Sequence, residues 1–108
     1  MNSKHQFIKI KECIQQNYHS YKFTISSLCE FQNISRATLH RILKEYTGQS
    51  TTSYINEIRL REAYAILQIH EIPIKDVAKK VGYFDPKYFS KIFKKKFGIN
   101  PSQIRVKY

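Results

Sequence analysis

The sequence predicts an all-α chain of about seven helices, built as two helix-turn-helix subdomains joined by a long linker helix. Three observations point there. Apolar residues recur at helical spacing along most of the chain, and little strand pattern remains once the helices are placed. The glycines and prolines, Gly48, Pro73, Gly82, Pro86, Gly98 and Pro101, all fall at the boundaries this spacing sets. One pattern also occurs twice. Leu39, Arg41, Ile42, Lys44 and Gly48 recur fifty residues on as Phe89, Lys91, Ile92, Lys94 and Gly98. Ile25, Leu28 and Cys29 recur forty-nine residues on as Ile74, Val77 and Ala78, so the second turn holds one extra residue. The expected units are residues 1–49, a linker over 50–72, and residues 73–108.

Helix one is expected over about Lys4 to Tyr18, where Phe7, Ile10, Ile14 and Tyr18 share a face with Cys13 beside it. Tyr21-Lys22-Phe23 connects. Thr24 can cap helix two, although Glu30 lies too far on to complete a capping box. Helix two holds Ile25, Leu28, Cys29 and Phe31, and a turn follows at Gln32-Asn33-Ile34. Ser35 caps helix three, which is expected to turn Leu39, Ile42, Leu43 and Tyr46 inward and stop at Gly48. Arg36, His40, Arg41 and Lys44 are left outside.

The linker starts at Ser50 or Thr51 and runs to about His70, with Ile55, Ile58, Ala63, Ile66 and Leu67 on its apolar side. Pro73 prevents extension. About 20 residues at a rise of ~1.5 Å make a rod of ~30 Å. Successive major-groove faces on one side of DNA lie ~34 Å apart, so the rod is about long enough to hold two readers one turn apart. Gly82 suits a tight turn, Asp85 a cap and Pro86 the first helical position. Phe89, Ile92, Phe93 and Phe97 then make an apolar face, and Lys87, Lys91, Lys94 and Lys95 fall on other faces. After Gly98, Asn100 with Pro101 starts another helix.

The 108 residues suit one compact unit or two very small ones, and a 42% hydrophobic content suffices for a core. Eight Tyr and seven Phe supply the bulk that an absent Trp does not. A net charge of +11, from 19 Lys and Arg against 8 Asp and Glu, implies an anionic partner: nucleic acid, an acidic membrane surface or an acidic protein. Cys13 and Cys29 lack the paired spacing of a zinc site, and His5, His19, His40 and His70 show no metal-ligand spacing. No glycine-rich phosphate loop appears, and no nucleophile comes with an obvious base. No metal, cofactor or enzymatic activity is therefore expected. The amino terminus lacks a signal-peptide apolar region, and the longest apolar run, Ala63 to Leu67, is far too short for a bilayer. Tyr83, Tyr88 and Phe89 have the residue types for stacking on single strands, but their helical setting favours core packing.

Base reading needs directed donors on the exposed face of a recognition helix, and Arg36, Ala37, His40 and Arg41 on helix three are the candidates. For Arg36 and Lys44, backbone contact or plain solvation ranks above base readout. His40 stands between surface residue, base contact and phosphate contact. Ala37 offers only a methyl, to touch a thymine methyl or leave that base unread. Phosphate anchors need helix-start amides, hydroxyls or cations. The candidates are Ser35, Lys44, Ser50, Thr51, Ser90, Lys94, Lys95, Asn100, Ser102 and Arg105, with Ser35 and Asn100 also serving as caps.

The segment Val81 to Tyr108 resembles the carboxy-terminal signature of the AraC/XylS family of bacterial transcription regulators. The matching residues are Ile74, Val77-Ala78, Val81-Gly82-Tyr83, Tyr88-Phe89-Ser90, Phe93-Lys94, Phe97-Gly98, Pro101-Ser102 and Arg105. The resemblance implies two helix-turn-helix subdomains on a long helix, binding double-stranded DNA in a reducing bacterial cytosol, where buried thiols are expected rather than a disulfide. It places base-contact positions at Ala37, His40 and Arg41, and at Pro86, Lys87 and Lys91. Pro86 donates nothing, and the two lysines stand between reading guanine and neutralising phosphate. Arg59 matches a family arginine, with a structural role expected through an acidic neighbour. RNA polymerase is an expected second partner. The region itself is expected to be monomeric; the chain is either a complete small regulator or the DNA-binding part of a longer one, and in the second case ligand control and dimerisation lie in the part outside it. The competing readings are a non-specific architectural nucleic-acid binder and a polymerase-interaction module.

Overall fold

The computed structural model describes residues 2–104. Among them are six α-helices and no strand: α1 (Ser3–Asn17), α2 (Ile25–Gln32), α3 (Arg36–Thr47), α4 (Thr51–Ile69), α5 (Ile74–Lys80) and α6 (Pro86–Phe97), followed by a 3-10 turn at Pro101–Gln103. The all-α expectation holds.

Short polar side chains start most of these helices, because the first amides of a helix have no partner within it. Asn2, Ser35 and Ser50 each accept from the backbone N–H three residues on, and Asp85 accepts from that of Lys87. At α2 the expectation was incomplete. Thr24 accepts from the Ser27 N–H at 3.2 Å, and Ser27 Oγ accepts from the Thr24 N–H at 3.2 Å. A serine thus closes the capping box that Glu30 lies too far on to complete. Helix ends are equally local: α3 and α6 stop at Gly48 (φ 73°) and Gly98 (φ 79°), and α2 at Asn33, which takes φ 52° without glycine.

Two hydrophobic cores result. The first gathers Ile10, Ile14, Leu28, Leu39, Ile42 and Leu43, with Phe23 and Ile55. The second gathers Leu60, Ala63, Leu67, Val77, Ala78, Val81, Tyr83, Phe89 and Phe93. Helix α4 serves both, its first half through Ile55 and its second through Leu60, Ala63 and Leu67. Its two ends face different partners, so its buried stripe is not one straight face, and Leu60 was absent from the expected apolar side. Each fully buried Phe of α6 is worth about 1.5–3 kcal/mol relative to exposure.

Two aromatic expectations fail. Tyr46 is 39% exposed and lies flat on Phe7, ring centroids 4.9 Å apart, as an edge to the first core. Tyr88, expected to pack in the core, is 45% exposed on α6, its ring centroid 6.1 Å from that of Tyr83. Cys13 is buried, Cys29 half-buried, and both thiols are free. Nineteen residues give α4 a length of about 28 Å. The molecule is accordingly elongated, 46 × 24 × 23 Å.

Candidate nucleic-acid interface

Helix α3 follows the Asn33 turn and begins at Ser35, whose hydroxyl accepts from the Thr38 N–H at 3.1 Å and donates to Thr38 Oγ1 at 3.0 Å. Burial of Leu39, Ile42 and Leu43 turns the opposite face outward, and Arg36, Ala37, His40 and Arg41 are all exposed on it. Three of the four are not bare surface groups. Arg36 Nη2 donates to Ser26 Oγ at 2.6 Å, tying the first turn of α3 to α2. His40 Nδ1 shares a 2.6 Å hydrogen bond with Thr51 Oγ1. Arg41 makes only a loose pair with Glu45, 3.8 Å apart, with both side chains more than half exposed.

The Thr51 contact overturns one expectation. Thr51 is fully buried beneath α3, so its hydroxyl is sealed from any phosphate and is spent on His40. What it does is orient the imidazole. If Nδ1 is held by Thr51, Nε2 is the ring nitrogen left free to meet a base or phosphate. Sequence gives no sign of this pairing, since residues 40 and 51 belong to different helices. The Arg36–Ser26 tether was invisible for the same reason.

Helix α6 repeats the plan with different chemistry. Asp85 Oδ1 accepts from the Lys87 N–H at 3.0 Å, and Pro86 takes the first position. Pro86, Lys87, Lys91, Lys94 and Lys95 are exposed, Ser90 half-buried. The helix carries five lysines and no acidic residue. Among the described residues, none of Lys87, Lys91, Lys94 and Lys95 forms a salt bridge.

The remaining anchors scatter. Lys44 sits at the far end of α3 and donates to the Gly48 carbonyl at 3.1 Å, capping its own helix. Ser50 is exposed and accepts from the Ser53 N–H at 3.1 Å. Asn100 and Ser102 are exposed at the 3-10 turn, where the Asn100 N–H donates to Gln103 Oε1 at 2.8 Å. Arg105 lies outside the described residues. Arg59 is structural as expected, but by other means: its guanidinium donates to three backbone carbonyls, and among the described residues it pairs with no acidic neighbour.

No metal-competent cluster of His, Cys, Asp or Glu occurs among the described residues, and no helix there is long and apolar enough to cross a membrane. Two capped helices, each entered through a tight turn and each presenting cations, define a helix-turn-helix class of protein. Comparison with known proteins agrees. A family model described as a helix-turn-helix domain matches residues 28–107. The raffinose operon transcriptional regulatory protein RafR of Pediococcus pentosaceus is 33% identical over 105 residues, 97% of this chain and 38% of RafR. The C-terminal domain of AraT, a response regulator from Geobacillus stearothermophilus, superposes with a TM-score of 0.88 at 34% identity, over 93% of this chain and 83% of that one. The DNA-binding domain of AdpA, a global transcriptional factor solved with a target DNA, shares the fold, with a TM-score of 0.81 at 20% identity over 88% and 85% of the two chains. This chain belongs to the AraC-type helix-turn-helix family of transcription regulators. It spans 7%, 38% and 28% of the length of three of its curated relatives.

Proposed function

We propose that this chain binds double-stranded DNA sequence-specifically, α3 in one major groove and α6 in the next, and regulates transcription in a bacterial cytoplasm. In this reading residues 1–49 and 73–108 are the two readers and residues 50–72 the rod between them. The observation that carries it is the second occurrence, on one rigid helix, of a capped helix with an exposed cationic face. On α3, Arg41 reads guanine through a guanidinium no strong partner competes for, and His40 contacts a neighbouring base or phosphate through Nε2. Arg36 steers by charge from its Ser26 tether, and Ala37 offers a thymine methyl a contact. On α6, Lys87 and Lys91 approach the groove, while Lys94, Lys95 and Ser90 meet phosphates. Ser35 and Ser50 bring helix-start amides toward the backbone.

One observation favours a second reading for α6 alone. Pro86 has no donor where a reader needs one, and every cation there is a lysine, a point charge suited to phosphate. A non-specific contribution from the second half is compatible with specificity from the first.

Selection on random duplexes, repeated across salt concentrations, tests the proposal. A selected asymmetric site spanning two adjacent major grooves is expected. Equal binding to every duplex at physiological salt would leave only the non-specific reading.

A further inference from the structure

The two halves of the molecule meet at one cluster away from the recognition faces. Its centre is Arg59 on α4. Nε donates to the Tyr18 carbonyl at 2.8 Å, and Nη2 donates to those of Ser20 and Phe23, each at 3.2 Å. The connector between α1 and α2 is thereby wrapped around one guanidinium. Arg59 Cζ also lies 5.5 Å from the centre of the Tyr83 ring, in the turn between α5 and α6. The Tyr83 hydroxyl reaches back to α4, donating to Asn56 Oδ1 at 2.7 Å. Between them sits Gly82, with φ 105°. A Cβ there would lie 2.3 Å from the Tyr18 carbonyl oxygen and 2.7 Å from Arg59 Nε. On the outside of the cluster the rings of Tyr21 and Phe84 meet at 5.3 Å.

Tyr83 is shared with the second core, but the Arg59 guanidinium belongs to neither, and three carbonyls of a surface connector are the groups water would otherwise satisfy. What the cluster does is join the connector of the first half, the rod and the turn of the second half at a single point. Burial lowers the Arg59 pKa, opposed by the nearby Tyr83 and Tyr88, but a guanidinium stays charged at any ordinary pH. Burial pushes the Tyr83 phenol up, so it stays a donor.

We propose that Arg59 and Tyr83, closed over Gly82, are positioning residues that fix the angle and separation between α3 and α6, so that the protein selects the spacing of its two half-sites as well as their bases. This rests on the two-groove reading above. The magnitude involved is large on a molecular scale. One added base pair moves the second half-site by ~3.4 Å and rotates it by ~35° about the DNA axis. A braced pair of helices cannot follow both displacements, whereas two halves hinged only on α4 can swing toward them.

The test uses selected duplexes in which the half-sites are kept and one base pair is inserted or removed between them. The wild-type chain is expected to lose roughly tenfold or more in affinity on either change, comparable to a mismatched base pair. Arg59→Met, which removes the donors and keeps the length, is expected to lose less than about threefold, with its base preference inside each half-site unchanged. Tyr83→Phe removes one hydroxyl and nothing else, and is expected to fall between, covering the case that Arg59→Met does not fold. Gly82→Ala is set against Gly98→Ala. Both glycines have positive φ, but a Cβ at Gly98 meets nothing within 4 Å. Only Gly82→Ala is expected to shift or flatten the spacing preference. If Arg59→Met and Tyr83→Phe lose affinity for all duplexes equally and keep the full spacing penalty, the cluster holds the fold and not the register. If the wild-type chain binds a single half-site as tightly as the pair, the two-groove reading itself falls, and the positioning role with it.

Discussion

Helices α3 and α6 have the same length, the same kind of cap and the same αL glycine at the end, yet they differ in what packs behind them and what is offered in front. Behind α3 lie aliphatic residues, Leu39, Ile42 and Leu43; behind α6 lie Phe89 and Phe93, with Tyr64 stacked on Phe93 and Phe97 tilted against both rings. In front, α3 offers two arginines, a histidine and a lysine, several of them tethered, while α6 offers untethered lysines and a proline. A tethered donor has lost rotamer freedom before DNA arrives, so less entropy is lost on contact and direction is gained. A free lysine contributes charge with little direction. On the proposed reading the duplicated backbone serves two tasks, the first half discriminating and the second holding.

The largest expected effect breaks the comparison at the cores. Phe93→Ala should cost about 3–5 kcal/mol and Leu39→Ala about 2–5 kcal/mol, read by chemical denaturation. Hydrogen exchange on Phe93→Ala adds the sharper result. Protection should vanish in α5 and α6 and survive in α1 to α3, since α4 divides its buried residues between the cores. Uniform loss would mean that the halves are one cooperative unit.

Next in size are the surfaces. Arg41→Ala should cost ~1–3 kcal/mol on the selected site and relax preference at one base position. Lys95→Ala should weaken all sequences alike and reduce the salt slope by about 1. A loss of base preference from Lys95→Ala, or none from Arg41→Ala, would reverse the assignment of tasks.

The sequence made the backbone legible because the signals that place helices are local. Ser35, Gly48, Asp85, Pro86 and Gly98 each act within a turn of themselves, and the repeat doubled the information. The outward face of α3 and α6 was largely legible too, since burying Leu39 or Phe89 fixes the opposite side, but the aromatic flanks Tyr46 and Tyr88 proved exposed. What was not legible lies between elements. That Thr51 is buried beneath His40, that Ser26 holds Arg36, and that Arg59 gathers carbonyls rather than a carboxylate all depend on how helices cross. Spacing along one helix carries no such information. The demand for glycine at residue 82 belongs to the same class: the turn is legible, but that a Cβ there would lie 2.3 Å from the Tyr18 carbonyl oxygen depends on a distant neighbour.

The Thr51–His40 contact allows a finer test of the first half. Thr51→Val keeps the shape and removes the hydroxyl. It should cost about 1 kcal/mol of stability, the net worth of one hydrogen bond. If the tether matters for reading, Thr51→Val and His40→Ala should relax preference at the same base position, read by selection. A change confined to stability would make His40 a capping contact of α4 and remove it from the readers.

The smallest effect concerns Glu57, which lies on α4 between the halves. Gln49 Nε2 donates to Glu57 Oε2 at 2.5 Å, and Arg61 Nη2 pairs with Oε1 at 2.6 Å. The Gln49 hydrogen bond chiefly, then the charges of Arg61 and of Lys96 on α6, hold this carboxyl below its ordinary range against an opposing effect of burial. A carboxyl whose pKa is lower folded than unfolded stabilises the fold above the unfolded value, near 4.5, and the contribution fades as pH falls through the folded value. Stability should therefore fall on the acid side partly through Glu57. Glu57→Gln should remove that part, by less than about 1 kcal/mol because Arg61 is largely in water. Thermal unfolding of both chains between pH 3 and 7 measures the difference. Repeating it with Lys96→Ala tells whether the second half contributes: a smaller acid-side difference than in the wild-type background means that the lysine-rich end of α6 stabilises the rod as well as attracting DNA.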